Sequence, residues 1–340
     1  MSEPGRKKLL EVKGLKTYFD VEGNTAKAVD GVSFDIYENE VFGLVGESGS
    51  GKSVTSLSVM RLIPNPPGRI EAGEILFRGQ DLLKLRHDKM RKIRGNDISM
   101  IFQEPMTALN PVFSIGFQLM EAITHHAAMG KEEARQRAIE MLELVGIPDG
   151  GARLKNYPHQ FSGGMRQRAM IAMALSMHPA LLIADEPTTA LDVTIQAQIL
   201  ELMLEVRKET GDASIMLITH DLAVVAETCQ RVAVMYGGKI QEVSEVHALF
   251  SDPLHPYTQG LLSSLPRPDK EKRHRLDTIP GIVPSVMDFP AGCKFWTRCP
   301  HVEERCKIEE PELVEIRPGR QCRCHLVEPD GTPAAQEGDV

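Results

Sequence analysis

Eight consecutive residues carry the most specific chemical pattern in this chain. Residues 46–53 read Gly-Glu-Ser-Gly-Ser-Gly-Lys-Ser and match G-x-x-x-x-G-K-[ST] at every fixed position. Glycines let backbone N–H groups turn toward phosphate oxygens, the lysine suits the β- and γ-phosphates, and the last serine suits Mg²⁺. The pattern predicts a nucleoside triphosphate site. Its predicted ligands are Gly46, Glu47, Ser48, Gly49, Ser50, Gly51, Lys52 and Ser53.

Such a loop must lie between a strand and a helix. The apolar run Val41 to Val45 predicts the strand, and Val54 to Ile63 predicts the helix that follows. The helix N-terminus would add its dipole and unpaired amides to the anion site. The alternative, a Gly/Ser-rich surface turn, does not account for correctly placed elements on both sides.

Polar residues also end other apolar segments. Ile98 to Phe102 is followed by Gln103, Leu181 to Ala184 by two acids, and Ile215 to Ile218 by Thr219 and His220. Alternation of strands with helices predicts an α/β core, whose ligands gather at the carboxyl ends of the strands. We therefore expect these polar residues to converge on one crevice.

The two acids after residue 184 have different predicted roles. Asp185 would support the Mg²⁺ shell, and Glu186 would polarise the water that attacks the γ-phosphate. The alternative is that both acids cap the turn that begins at Pro187. The phosphate-binding pattern favours the catalytic interpretation.

A second predicted anion site lies at Ser162, Gly163 and Gly164. Serine is a good N-cap, and the two glycines leave the first helical amides accessible. Ser-Gly-Gly before a helix is by itself a common capping device. Because the first loop already covers one side of the triphosphate, this helix end would reach a γ-phosphate from another subunit.

Composition indicates a globular protein of 340 residues with a net charge of −8, which gives no global field for nucleic acid. The basic run from Lys84 to Arg94 fits a solvated helix face better than a nucleic-acid surface. The polar start, Met1 to Lys8, lacks a signal-type apolar region, and no window is apolar enough for a membrane span. We expect a cytosolic chain that meets a membrane through a partner.

Five of the six cysteines lie in the last fifth of the chain, and Cys229 alone is expected to be a buried thiol. A cluster in a reducing compartment favours metal binding over disulfides. From spacing alone, tetrahedral zinc, an iron–sulfur cluster and unliganded thiols all stay open. The predicted ligands are Cys293, Cys299, Cys306 and Cys324.

The ordered motifs resemble those of an ATP-binding-cassette (ABC) ATPase over about residues 9–265. The resemblance implies a P-loop NTPase cassette: a RecA-like α/β core, an antiparallel β subdomain and a helical subdomain at about 105–165. It also implies ATP and Mg²⁺ as ligands. The matching segments are residues 46–53 (Walker A), Gln103 (Q-loop), 162–168 (signature), 181–186 (Walker B), 190–192 (D-loop) and His220 (H-loop).

The same resemblance assigns roles to single residues. In a head-to-tail dimer, residues 162–164 and Asp192 of one chain would complete the other's site. His220 would contact the γ-phosphate and orient Glu186. Gln103 would touch Mg²⁺ and report nucleotide state to a membrane partner. Phe19 would stack on adenine, the alternative being a core position beside Tyr18.

The C-terminal part resembles ATPases of the dipeptide/oligopeptide permease class. The resemblance implies a [4Fe–4S] cluster on the four cysteines, with Cys324 preferred over Cys322 because His325 follows it. The segments that carry this resemblance are 255–258, 279–281, 292–293, 298–300 and 324–325. The expected organisation is a cassette at 1–265, a linker at 266–276, a metal-binding appendage at 277–326 and a disordered tail at 327–340.

The implied function is ATP hydrolysis that drives peptide import. The implied partners are a second ABC ATPase, in a heterodimer, two transmembrane permeases and an extracytoplasmic peptide-binding protein. The chain would lie on the cytoplasmic face of the bacterial inner membrane and bind no nucleic acid. Alternatives are import of nickel or another small solute, a soluble ABC ATPase acting on nucleic acid or ribosomes, and a regulatory module that binds ATP without turnover. The presence of Glu186 predicts turnover.

Overall fold

The computed structural model describes residues 6–103, 108–187, 193–209, 213–265 and 278–328, without the side chains of 193–195. The chain divides into two compact units. Unit one comprises Met1–Ile36, Val41–Leu83 and Thr219–Val340, and unit two comprises Tyr37–Glu40 and Lys84–Ile218. The D-loop residue Asp192 lies outside the described residues.

Strands within the described ranges are numbered in chain order. They are β1 Lys8–Val21, β2 Asn24–Tyr37, β3 Val41–Val45, β4 Gly68–Phe77, β5 Gln80–Asp81, β6 Ile98–Ile101, β7 Leu181–Asp185, β8 Ser214–Thr219, β9 Arg231–Tyr236, β10 Lys239–Glu245, β11 Val314–Arg317 and β12 Arg320–Cys322.

Helices are numbered in the same way. They are α1 Lys52–Val59, α2 His87–Ile93, α3 Ile115–His126, α4 Lys131–Leu144, α5 Gly150–Arg153, α6 Gly163–Leu175, α7 Val193–Glu209, α8 Leu222–Thr228, α9 Val246–Ser251, α10 Pro256–Ser263 and α11 Glu304–Ile308. Short 3₁₀ turns occupy Leu82–Lys84, Pro158–Gln160 and Trp296–Arg298.

An antiparallel sheet of unit one has the strand order β2-β1-β4-β5. Strand β1 is 14 residues long, and its pairing with β4 continues to Phe19 opposite Gly68. Strand β4 was missed by the sequence prediction, since residues 71–74 in its middle are exposed and break the apolar alternation. This sheet corresponds to the expected antiparallel β subdomain.

A second group of strands in unit one has the order β11-β12-β10-β9-β3. Strand β3 runs parallel to β9, and the other pairs are antiparallel. Glu242 of β10 faces Cys322 of β12 in this pairing. The C-terminal segment therefore extends the sheet that carries β3 and belongs to the same compact unit.

Unit two contains three parallel strands with β7 between β6 and β8. All three coincide with predicted strands, and β7 and β8 are completely buried. The predicted helical subdomain at about 105–165 contains α3, α4 and α5, and Gly146, with a left-handed φ of 74°, lies just after α4. Residues 105–107 of that subdomain lie outside the described part of the chain.

The remaining local predictions concern single features. The basic run forms α2, with Lys89, Arg91 and Lys92 exposed and Met90 buried, as a solvated helix face requires. Cys229 is buried at the end of α8. Within the described residues, no helix combines the length and apolar character needed to cross a bilayer.

The close contact of α3 with residue 154 makes a stability prediction. A Cβ at Gly116 would meet the Leu154 carbonyl oxygen at 2.6 Å. Gly116→Ala should lower the free energy of unfolding by about 1–3 kcal/mol, because a backbone atom has to move. Gly130→Ala is the control, since its Cβ meets nothing within 4 Å and its φ is −69°. Denaturant titration should show a change within about 0.5 kcal/mol for the control. Equal effects would contradict the packing argument.

Candidate functional site

The predicted phosphate loop lies between β3 and α1, as expected, and its conformation requires glycine. Gly46, Gly49 and Gly51 have φ values of 152°, 78° and 103°. A Cβ at Gly46 would lie 2.2 Å from the carbonyl oxygen of Met235, and one at Gly51 would lie 2.4 Å from that of Ala28. Neighbouring backbone thus approaches the loop too closely for any side chain at these two positions.

Polar groups of the loop suit an anionic ligand. The Lys52 ammonium donates to the carbonyl oxygens of Gly46 at 2.8 Å and Glu47 at 3.0 Å, which curls the loop around its own lysine. The buried hydroxyl of Ser50 has no hydrogen-bond partner among the described residues. Gly51 caps α1 without a side-chain hydrogen bond, and the N-terminus of a helix favours an anion such as phosphate. These groups fit a bound triphosphate.

Glu47 of the loop forms hydrogen bonds with two distant residues, one through its side chain and one through its backbone. Its carboxylate accepts hydrogen bonds from Arg298 Nη1 at 2.6 Å and Nη2 at 3.1 Å, a bidentate pair. Its N–H donates to the Tyr257 hydroxyl at 2.9 Å. The hydrogen bond with Glu47 raises the pKa of Arg298, and burial raises that of Tyr257. No local sequence pattern predicts these two partners, which lie more than 200 positions away.

In unit two, the predicted catalytic acid lies immediately after β7. Asp185 ends the strand and is buried, whereas Glu186 has a left-handed φ of 45° and donates its N–H to the Ile218 carbonyl at 2.9 Å. Gln103 Nε2 donates to Glu186 Oε2 at 2.9 Å. The structure therefore brings together two residues that are 83 positions apart, and the amide fixes one carboxylate oxygen.

The second predicted anion site is the N-terminus of α6. Ser162 caps the helix by accepting a hydrogen bond from Met165 N at 3.3 Å, and Ser162 and Gly163 are exposed. A Cβ at Gly163 would meet nothing within 4 Å. Buried Gln167 of the same helix donates to the Pro187 carbonyl. The tip of α6 is therefore exposed, and Gln167 connects this helix to Pro187, the residue after the predicted catalytic acid.

The other predicted site residues are placed as follows. His220 is exposed and belongs to unit one with residues 46–53, whereas Gln103, residues 162–164, Asp185 and Glu186 belong to unit two. Phe19 is half-buried, with its ring lying over Gly68, while the neighbouring Tyr18 is buried and donates to Asp30 at 2.7 Å. Tyr18, not Phe19, is thus the core residue of this pair.

Comparison with known proteins identifies the two parts of the chain. The family described as "ABC transporter" matches residues 29–189, and the family "Oligopeptide/dipeptide transporter, C-terminal region" matches 241–306. The chain is 52% identical to the dipeptide transport ATP-binding protein DppD of Escherichia coli, over 93% of this chain and 96% of the relative. It is 53% identical to the oligopeptide transport ATP-binding protein AppD of Bacillus subtilis, over 95% and 98%.

The chain belongs to the ABC transporter family of ATP-binding proteins. A solved structure supports the same fold: a dimeric, post-hydrolysis ATP-binding cassette, MJ0796, bound to ADP and phosphate. It superposes with a TM-score of 0.62 at 27% identity and covers 70% of this chain and 98% of the other. This membership confirms the predicted ABC cassette fold and ATPase class, with ATP and Mg²⁺ as expected ligands.

The predicted metal ligands of this ABC protein line one small cavity. Cys293, Cys299, Cys306 and Cys324 all contribute to its wall, beside His255, Phe295 and Trp296. Burial raises the pKa of Cys293 to about 11 and that of Cys324 to about 12. Among the described residues, no group of three or more His, Cys, Asp or Glu side chains is arranged to hold a metal ion. The structure brings the four residues to one cavity without bringing their thiols into a coordination geometry.

The two adjacent C-terminal cysteines have different surroundings. Cys322 lies on β12 and is completely buried in an apolar cluster with Leu254 and Ile316, and it does not line the cavity. Cys324 packs against that cluster but also lines the cavity, and its Sγ accepts a hydrogen bond from Leu326 N at 3.5 Å. The positions agree with the preference for Cys324 as the candidate ligand.

The loop geometry predicts different costs for two glycine substitutions. Gly49→Ala places alanine in a left-handed conformation in open space, which should cost about 1–2 kcal/mol of unfolding free energy. Gly51→Ala adds a backbone clash and should cost about 1–3 kcal/mol more. Denaturant titration of the full chain without nucleotide measures both. The interpretation fails if Gly51→Ala is as mild as Gly49→Ala.

Proposed function

We propose that this chain is the ATP-hydrolysing, energy-coupling subunit of a dipeptide or oligopeptide importer. The observation that carries the peptide assignment is that relatives at about 50% identity along nearly the whole chain are peptide transport ATP-binding proteins. The match of residues 241–306 to the oligopeptide/dipeptide transporter C-terminal region supports the same substrate class.

The residues of the phosphate loop would hold ATP, and bound Mg²⁺ would neutralise charge on the β- and γ-phosphates. Lys52 would exchange its carbonyl contacts for phosphate oxygens, and Ser53 and Asp185 would supply oxygen ligands to the metal. Glu186 would accept a hydrogen bond from the attacking water at its carboxylate. Gln103 orients that carboxylate, as their 2.9 Å hydrogen bond indicates, and His220 would contact the γ-phosphate.

A dimer of cassettes would complete each site. The helix tip at Ser162, Gly163 and Gly164, with Ser162 and Gly163 exposed, would present its backbone amides to a triphosphate held by a second chain. Asp192 would lie at the same interface. The dimeric state of the MJ0796 cassette supports this arrangement. We propose that the partner is a second, similar ABC ATPase in a heterodimer.

An exposed apolar patch in unit two suits docking of a membrane permease. Phe113 and Phe117 stack with ring centroids 4.7 Å apart and are 42% and 49% exposed. Ile115 N donates to the Asn156 carbonyl at 2.8 Å, and the next residue, Tyr157, is also exposed. Clustered exposed apolar side chains mark interaction surfaces. Among the described residues of unit two, the exposed large apolar side chains are Phe102, Val112, Phe113, Phe117 and Tyr157, and we take Val112, Phe113 and Phe117 as the patch.

The proposed assembly contains two transmembrane permeases, through which an extracytoplasmic peptide-binding protein delivers substrate. The chain would then be peripheral, on the cytoplasmic face of the bacterial inner membrane. Exposed Phe102 is the residue directly before Gln103, so a permease segment that contacted Phe102 would lie next to the amide that holds Glu186. Such a contact would link permease docking to the proposed catalytic acid.

We further propose that the four cavity cysteines bind a [4Fe–4S] cluster, in a cassette of residues 1–265 followed by a metal-binding segment at 277–326. Four sulfur donors around one cavity suit such a centre. Backbone N–H groups of His301 and Leu326 already point at the sulfurs of Cys299 and Cys324, at 3.4 and 3.5 Å, and would stabilise thiolates. Zinc is the alternative.

Glu186→Gln tests the catalytic assignment. Loss of the carboxylate should lower ATP turnover of the assembled transporter by at least about 100-fold, while ATP binding persists because the phosphate loop is unchanged. Phosphate release and ATP titration measure the two quantities. Glu132→Gln, the same change on an exposed helical residue of unit two, should leave turnover unaffected. Unchanged turnover in Glu186→Gln would refute the assignment.

Matched cysteine variants test the metal centre. Chain purified without oxygen should contain iron and sulfide and show broad visible absorbance. Cys324→Ala should lose most of both, whereas Cys322→Ala should keep them, because Cys322 does not line the cavity. Zinc with a featureless visible spectrum would overturn the cluster, and equal metal loss in the two variants would overturn the ligand assignment.

A further inference from the structure

The cysteine segment and the phosphate loop of this ABC protein meet through one residue. Arg298 immediately precedes Cys299, and its guanidinium makes the bidentate pair with Glu47 at 2.6 and 3.1 Å. Both residues belong to unit one. Arg298 is 6% exposed. Its Nε donates to the Pro280 carbonyl at 3.1 Å, so Pro280 as well as Glu47 positions the guanidinium.

Backbone hydrogen bonds place Arg298 in one turn with two of the cavity cysteines. Trp296 N donates to the Cys293 carbonyl, Arg298 N to the Phe295 carbonyl and Cys299 N to the Trp296 carbonyl. These bonds connect the stretch from Cys293 to Cys299, and Phe295 within it lines the cavity. A displacement of either cysteine can therefore be transmitted to the arginine through the backbone.

A second connection leads from the cavity to the same loop residue. His255 lines the cavity, and its Nδ1 accepts a hydrogen bond from Tyr257 N at 3.0 Å. The Tyr257 hydroxyl then accepts from Glu47 N at 2.9 Å. Tyr257, Tyr236 and Phe295 form one aromatic group, with neighbouring ring centroids 4.8–5.3 Å apart, and Arg298 lies over two of these rings.

Glu47 is the residue through which such displacements reach the nucleotide site. Its carbonyl oxygen accepts from Lys52 at 3.0 Å and from Ser50 N at 3.2 Å, so both the lysine and the turn of the loop depend on its backbone. Its carboxylate is the only acidic group within residues 46–53. Without the arginine, that negative charge would stand unneutralised in the segment that receives a triphosphate.

We propose that Arg298 is a positioning residue of the phosphate loop, and that through it the Cys293–Cys299 turn sets the affinity of the chain for ATP. The inference rests on the proposed function, since it takes residues 46–53 as the ATP site. It holds whatever group occupies the cysteine cavity, because the contacts run through the protein.

The first test compares two buried arginines. Arg298→Gln should weaken binding of Mg-ATP to the full chain at least about fivefold by calorimetric titration. Arg320→Gln is the control: Arg320 is 8% exposed and pairs with Asp252 at 3.0 Å and with Glu242 at 3.5 Å, and within the described part of the chain neither partner belongs to residues 46–53. It should lower thermal stability and leave ATP affinity unchanged. Reduced stability in both variants with unchanged affinity in both would overturn the positioning role.

Rescue variants separate the charge from the fold. Glu47→Gln combined with Arg298→Gln should regain most of the lost affinity, because no carboxylate is left unneutralised. Arg298→Lys keeps the positive charge but cannot form the bidentate pair, so it should bind ATP with intermediate affinity. This variant also tests the proposal if Arg298→Gln does not fold. Absence of rescue together with wild-type affinity in Arg298→Lys would contradict the proposal.

The link to the cysteine segment needs a double-mutant cycle. Cys299→Ala should weaken ATP binding when it is the only substitution and have little further effect when Arg298→Gln is also present. Cys322→Ala should not change ATP binding in either background. Additive effects, or no effect of Cys299→Ala, would overturn the link. Lys52→Ala separates the two proposals: if it binds ATP like the wild type, or the wild type does not bind, the proposed ATP site itself fails.

Discussion

The phosphate loop keeps its shape because backbone atoms of three chain segments meet at two glycines. The carbonyl of Met235 lies against Gly46, and that of Ala28 lies against Gly51. Gly238 N donates to the Ser50 carbonyl at 3.0 Å, and Asp30 N donates to the Gly238 carbonyl at 2.9 Å. The turn between β9 and β10 and the middle of β2 are therefore part of the nucleotide site, although neither carries a residue that would touch phosphate.

The chemistry of the proposed reaction is distributed over both compact units. In the proposed reaction, phosphate binding would depend on backbone amides, Lys52 and the buried Ser50 hydroxyl of unit one. Water activation would depend on Glu186 of unit two, whose carboxylate accepts a hydrogen bond from Gln103, the residue after exposed Phe102. A permease that contacted Phe102 could therefore make hydrolysis depend on docking.

Local patterns predicted those parts of the site that are determined locally. The strand, loop and helix around residues 46–53 and the polar residues after β6 and β7 follow from short stretches of sequence, and all lie in the expected elements. Strand β4 was missed because its exposed middle has no apolar alternation, and pairing with β1 determines it instead. Helix α1 ends at Val59, before the predicted Ile63, and Arg61 adopts a left-handed φ of 52°.

The contact between Glu47 and Arg298 joins residues 251 positions apart, and no periodicity reports such a pair. One signal was nevertheless present: Glu47 is an acidic side chain at a position that the phosphate-binding pattern leaves open, in a loop that has to attract a triphosphate. A carboxylate there disfavours its own ligand unless a cation neutralises it. The nearby Lys52 is required for phosphate, so the neutralising group has to come from elsewhere in the chain. The C-terminal segment supplies it as Arg298, directly before a cysteine, which connects that segment to the proposed binding of phosphate by the loop.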